Sequence, residues 1–121
     1  MALPETDATS PYPELAAVLA RHAPTGDPTD QCSETTEAVT SELRAAGRDA
    51  RSAFVFGWLD PDAYLMLFAH RATVVDGLVL DATARQFHSD LPAQWIAPLA
   101  EYSSRLAAAT GVRQVTVQTG Q

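Results

Sequence analysis

The dipeptide Asp76-Gly77 stands between two apolar runs, Ala63–Val75 (AYLMLFAHRATVV) and Leu78–Thr83 (LVLDAT). Asp-Gly in that setting signals a two-residue β-hairpin loop, because the turn that matches strand twist needs positive φ at both central residues. So short a loop sets the register. Val75 faces Leu78 and Val74 faces Val79. Continued outward, the pairing sets His70 opposite Thr83 and Asp81 opposite Ala72. His70 and Asp81 then share one sheet face as diagonal neighbours within side-chain reach. A slip of one residue would send them to opposite faces.

The surrounding sequence supplies helices for such a sheet. Glu14–His22 carries Leu15, Val18 and Leu19 at helical spacing. A loop with two prolines and a glycine, Ala23–Gln31, precedes a second helix over Cys32–Ala46. Asp30 is its expected N-cap, Glu34 and Glu37 suit the positive end of the helix dipole, and Gly47 ends it. Its inward stripe reads Cys32, Thr35, Val39, Leu43. Ala50–Leu59 reads as a strand, followed by a turn at Asp60-Pro61-Asp62. The Ala63–Val75 run, nearly continuous in apolar residues, reads as a central strand covered on both faces. Leu91–Ala109 shows helical spacing through Trp95, Ile96, Leu99, Tyr102 and Leu106. Pro92 suits its first turn, Pro98 kinks or divides it, and Gly111 stops it. Arg113–Gln118 alternates as a last short strand.

The expected class is α+β: N-terminal helices, the second carrying the cysteine, and a C-terminal helix, packed on a small antiparallel sheet. Residues 1–13, polar and holding three of the eight prolines, read as a flexible leader, and residues 14–121 as a single domain.

Composition narrows the function classes. A chain that is 46% hydrophobic and 19% charged is ordinary for a globular domain. A net charge of −7 disfavours nucleic acid and anionic membrane surfaces as partners. The longest apolar stretch, Ala63–Ala69, is far short of the roughly 20 residues of a membrane span, and the N-terminus has no signal-peptide pattern. One cysteine forms no internal disulfide and fits a reducing, cytoplasmic setting.

Cys32 joins His70 and Asp81 as a candidate constellation. A thiol at a helix N-terminus has its anion favoured by the dipole, and a neighbouring imidazole favours it further. A carboxylate behind the imidazole fixes its tautomer and stabilises its charge. Cys32 would be the nucleophile, His70 the base and Asp81 the orienting group. Backbone N–H groups at the helix start, or the side chains of Gln31 and Gln86, are candidates to hold an oxyanion. Arg85 is a candidate grip for a substrate carboxylate, and Trp58 a candidate cleft wall.

Each residue also has a plainer reading. A lone cysteine commonly packs as a small hydrophobe. His70 can be a satisfied core histidine, and Asp81 can cap its own turn. Arg85 can pair with Asp81 or Asp90, and Trp58 can cover a sheet edge. Phe87, Trp95 and Tyr102 read as core. Cys32, His70, Asp81 and His88 could surround zinc, but no short ligand spacing supports it, so neither metal nor other cofactor is expected.

Cys on a helix start, His on a strand and Asp on the next, in that order, resembles the papain-like and transglutaminase-like cysteine enzymes. The segment His70–Phe87 (HRATVVDGLVLDATARQF) resembles small bacterial members of that superfamily, and Pro92 and Tyr102 fit the same pattern. The resemblance covers about Gln31–Tyr102. It implies thiol chemistry on an amide or thioester: peptide hydrolysis, glutamine deamidation or acyl transfer to an amine. The substrate would be a peptide, a protein or a small amide or thioester, with a partner protein or carrier in attendance. The alternative is a catalytically inactive protein-binding domain of the same fold. Unlike papain, the chain has no Trp after its cysteine and no Gln a turn before it.

Overall fold

The structure is a computed structural model that describes residues 11–119. The elements run α1 (Pro13–His22), α2 (Cys32–Ala45), β1 (Ala50–Asp60), β2 (Leu65–Val75), β3 (Leu78–Asp81), a 3-10 turn (Ala84–Gln86), β4 (Trp95–Pro98), α3 (Leu99–Thr110) and β5 (Gln114–Thr119). The five strands form one antiparallel sheet in the order β4-β3-β2-β1-β5. The fold is α+β, as expected. The expected leader falls mostly on residues 1–10, outside the described residues. Its last position, Pro13, already begins α1, where a proline costs nothing because the first-turn N–H has no helical partner.

Two cores lie on opposite faces of the sheet. One joins Leu15, Val18 and Leu19 of α1 and Val39 and Leu43 of α2 to Ala50, Val75, Leu78 and Leu80. The other joins Tyr102 and Leu106 of α3 to Val55, Ala72, Val79, Trp95 and Ala97. Alternation along each strand sends neighbouring residues to these different cores.

The Asp76-Gly77 turn forms with φ of 54° and 77° and pairs Val75 with Leu78, Val74 with Val79 and Thr73 with Leu80. The ladder stops there. Asp81 pairs instead with Trp95 on β4. From Ala72 back toward Leu65, β2 is laddered to β1 alone. The outer half of β2 is not covered on both faces: Leu65, Met66 and Leu67 are exposed.

Two further local expectations are corrected. Asp30 does not cap α2: its φ is 65°, far from the extended geometry of a capping residue, and Gln31 occupies the N-cap with no side-chain bond. The C-terminal stop holds. Gly47, at φ 86°, donates to Arg44 O and Arg48 donates to Leu43 O, a Schellman closure. The helical pattern over Leu91–Ala109 is helix only from Leu99. Trp95–Pro98 is strand β4, since a proline disfavours helical geometry in the residue before it, and Ala97 pairs with Val79. Pro98 ends an edge strand, where its missing N–H costs no ladder bond.

Candidate functional site

His70 and Asp81 are brought together as the turn register requires. His70 Nε2 lies 2.8 Å from Asp81 Oδ2, and both side chains are all but fully buried, at 0% and 1% exposure. A carboxylate only accepts, so Nε2 carries the proton. Asp81 is tied down at its other oxygen too. Thr83 N donates to Oδ1 at 2.9 Å and Thr83 Oγ1 at 3.3 Å. Tyr102 OH donates to Oδ2 at 2.6 Å. Burial opposes the Asp81 charge, but the charge and hydrogen bond of His70, with Tyr102 and Thr83, hold its carboxyl below the usual range. Burial likewise opposes a charge on His70. The Asp81 charge and hydrogen bond, with a contribution from Cys32, outweigh it and raise the ring to about 9.

Cys32 is the first residue of α2, half-buried. Its helix packs on the face opposite the one to which His70 points. Thr73, which shares the helix face, bonds to Thr40 Oγ1 at 2.9 Å and to Thr36 O at 3.3 Å. Cys32 and His70 nevertheless shift each other's protonation, and the β2–β3 ladder ends before the level of His70. With no β3 partner at that level, the edge of β2 is open, and the Arg71 backbone N–H is available to the sulfur. Hydrogen bonding with His70 is the main influence holding the Cys32 thiol below its ordinary value. Burial opposes it, while the His70 charge, the Arg71 N–H and Ser33 add to it. A thiol so placed favours its nucleophilic anion.

Of the expected accessory residues, the structure bonds one to the His70 ring. Gln86 Nε2 lies 2.9 Å from His70 Nδ1. This amide donates to a neutral ring and, turned by 180°, offers its oxygen to a charged one. Phe87 closes over the ring edge-on, with centroids 4.9 Å apart, and Phe68 packs on Phe87 at 4.5 Å. Gln31 stands at the N-cap beside Cys32. Arg85 pairs with neither Asp81 nor Asp90. Its Nε donates to Leu91 O at 2.7 Å and staples the loop before β4. Trp58 does not wall the His70 face. It lies across the sheet, bonded to Thr116 Oγ1 at 3.0 Å and tilted against Phe56. The zinc grouping is not assembled: His88 is exposed and its Nδ1 accepts from Asp90 N at 3.1 Å. Among the described residues no cluster of three such side chains has the arrangement of a metal site, and no helix is long and apolar enough to cross a membrane.

Tyr102 is more than core. A buried phenol needs a partner for its hydroxyl. Its place on the inward stripe of α3 is legible in the sequence, but the identity of that partner is not. Thr83 carries a visible signal, since Asp-x-Thr commonly closes a side-chain-to-backbone turn.

No family model matches the sequence, and no curated protein matches it. Among solved structures, the C-terminal region of Pasteurella multocida toxin, described as having a thiol-protease-like catalytic triad, is similar to this chain. The TM-score is 0.64 at 14% identity, over 98% of this chain and 18% of the toxin chain. The chain thus spans less than a fifth of the length of the protein it resembles. At that identity the likeness is one of fold alone.

Proposed function

We propose that this protein is a cysteine-nucleophile hydrolase or acyltransferase acting on an amide or thioester, with Cys32 as nucleophile, His70 as base and Asp81 as the group that orients His70. The observation that carries the reading is the thiol at the mouth of α2 held acidic by a buried imidazole, itself bonded to a buried carboxylate.

The Sγ proton passes to His70 Nδ1, the nitrogen that Asp81 leaves free. Sulfur bonds to the carbonyl carbon, and the carbonyl π pair moves onto oxygen. That oxyanion is met by N–H groups at the start of α2 and by the Gln86 amide, which turns from His70 toward it. Collapse breaks the carbon–nitrogen bond, and the leaving amine takes the proton from His70. Water or an amine, deprotonated by His70, then attacks the thioester and returns the thiol. Peptide hydrolysis, glutamine deamidation and transfer to an amine differ only in leaving group and acceptor.

The test is Cys32 alkylation by iodoacetamide across pH, with glutaminyl peptides offered in parallel and a thioester sought on Cys32 by mass spectrometry. The reading expects an apparent thiol pKa below the free-cysteine value of about 8.5, loss of that enhancement in His70→Ala, and an acyl adduct that Cys32→Ser does not form as a thioester. A thiol with unexceptional reactivity would mark the chain as a silent binding domain of the same fold.

A further inference from the structure

The helices α1 and α2 cover only the half of their sheet face that holds Ala50, Thr73 and Val75. Beyond the N-terminus of α2 no helix among the described residues covers the same face. Opposed residues in the register share a face, so Phe54 with Arg71, Phe56 with Ala69, and Trp58 with Met66 lie together there. Phe54 and Phe56 are stacked with centroids 5.9 Å apart, and Trp58 lies 6.0 Å beyond Phe56. Phe54 and Met66 are each 45% exposed.

Arg71 stands where this shelf meets Cys32. Its backbone N–H favours the Cys32 thiolate. Its side chain runs the other way, toward β1, with the guanidinium 4.7 Å above the Phe54 ring and Nη2 3.0 Å from Ser52 Oγ. No carboxylate pairs with it among the described residues. Its Nε is a buried side-chain nitrogen without a partner. An unpaired buried donor is destabilising, and a guanidinium with no carboxylate partner matches one in a two-point fork.

We propose that the uncovered shelf receives an extended segment of a protein substrate, with Arg71 taking a carboxylate side chain of that segment and the Phe54–Phe56–Trp58 row taking its apolar side chains as it runs toward Cys32. This rests on the thiol chemistry proposed above and adds its specificity. A modest turn of the guanidinium on the Phe54 ring presents Nε and Nη together to the carboxylate. The net charge of −7 repels acidic chains at long range, so the selection is for one carboxylate near the reacting amide and not for an acidic segment.

The test compares two alkylating probes on the whole protein, N-iodoacetyl-aspartate α-amide, whose one carboxylate is that of its side chain, and its neutral isostere N-iodoacetyl-asparagine α-amide. The readout is the ratio of their rates at Cys32, from which any change common to both cancels. The wild type should favour the aspartate probe about five- to tenfold, the scale of one charge-assisted hydrogen bond partly exposed to water. Arg71→Gln should bring the ratio to one or below, and Arg71→Lys should keep part of it. Rapid reaction with both probes and a wild-type ratio at or below one would overturn the carboxylate site and leave the thiol chemistry standing. Reaction no faster than free cysteine with either probe would remove both.

Discussion

The Tyr102 hydroxyl donates to Asp81 Oδ2 at 2.6 Å, the same oxygen that His70 Nε2 engages at 2.8 Å. One carboxylate oxygen thus anchors α3 to the sheet and holds the imidazole. Tyr102→Phe keeps the ring against Trp95, whose centroid is 4.5 Å away, and removes only the hydroxyl. The variant should lose about 1–3 kcal/mol in urea unfolding. Without that donor more of the Asp81 charge faces His70, so the imidazole should titrate higher than in the wild type by NMR. A loss of stability with an unmoved titration would mark the hydroxyl as a structural anchor that does not tune His70.

The buried ion pair sets a pH dependence of stability. His70 is raised from an ordinary 6.5 to about 9 in the folded chain. A group raised on folding contributes stability that is fully present below its unfolded value and lost as pH rises through its folded one. The melting temperature should therefore fall between pH 6.5 and about 9. The stability lost is on the order of 3 kcal/mol. His70→Gln should flatten that slope, and an unchanged slope in the variant would assign it to other groups.

Removing the carboxylate charge should reverse the shift. In Asp81→Asn, burial remains and the charge that outweighed it is gone, so His70 should titrate at or below 6.5. The Cys32 thiol then loses its charged neighbour at neutral pH. Alkylation at about pH 7.5 should slow about tenfold or more, since each pKa unit is a tenfold change in thiolate fraction. Imidazole NMR and iodoacetamide kinetics on one sample check both halves.

Gly57 is held by packing around the site. A Cβ there would come within 2.2 Å of the Phe68 ring, which supports Phe87 and through it His70. Gly57→Ala should cost about 1–3 kcal/mol by overpacking. It should also shift the His70 ring-proton resonances, because Phe87 stands edge-on to that ring. An unperturbed His70 spectrum would mean that Phe68 yields without moving Phe87.

The hairpin and the helix ends are written locally in the chain. Asp76-Gly77 takes positive φ at both positions with little strain, so a dipeptide is enough to read its register and, with it, the shared face of His70 and Asp81. Gly47 and Gly111 mark their helix ends for the same reason. Trp95–Ala97 departs from its expected helix because apolar residues at helical spacing also suit a strand whose neighbours lie far away in the chain. Packing between elements set the rest. It ended β3 early and left an open strand edge at the level of His70, whose imidazole and the Cys32 thiol shift each other's protonation. It closed Tyr102 on Asp81, and it left Arg71, not Arg85, beside Cys32 without an acid. These contacts depend on how long each strand runs and where each helix lands, and no local rule of periodicity or turn chemistry encodes them.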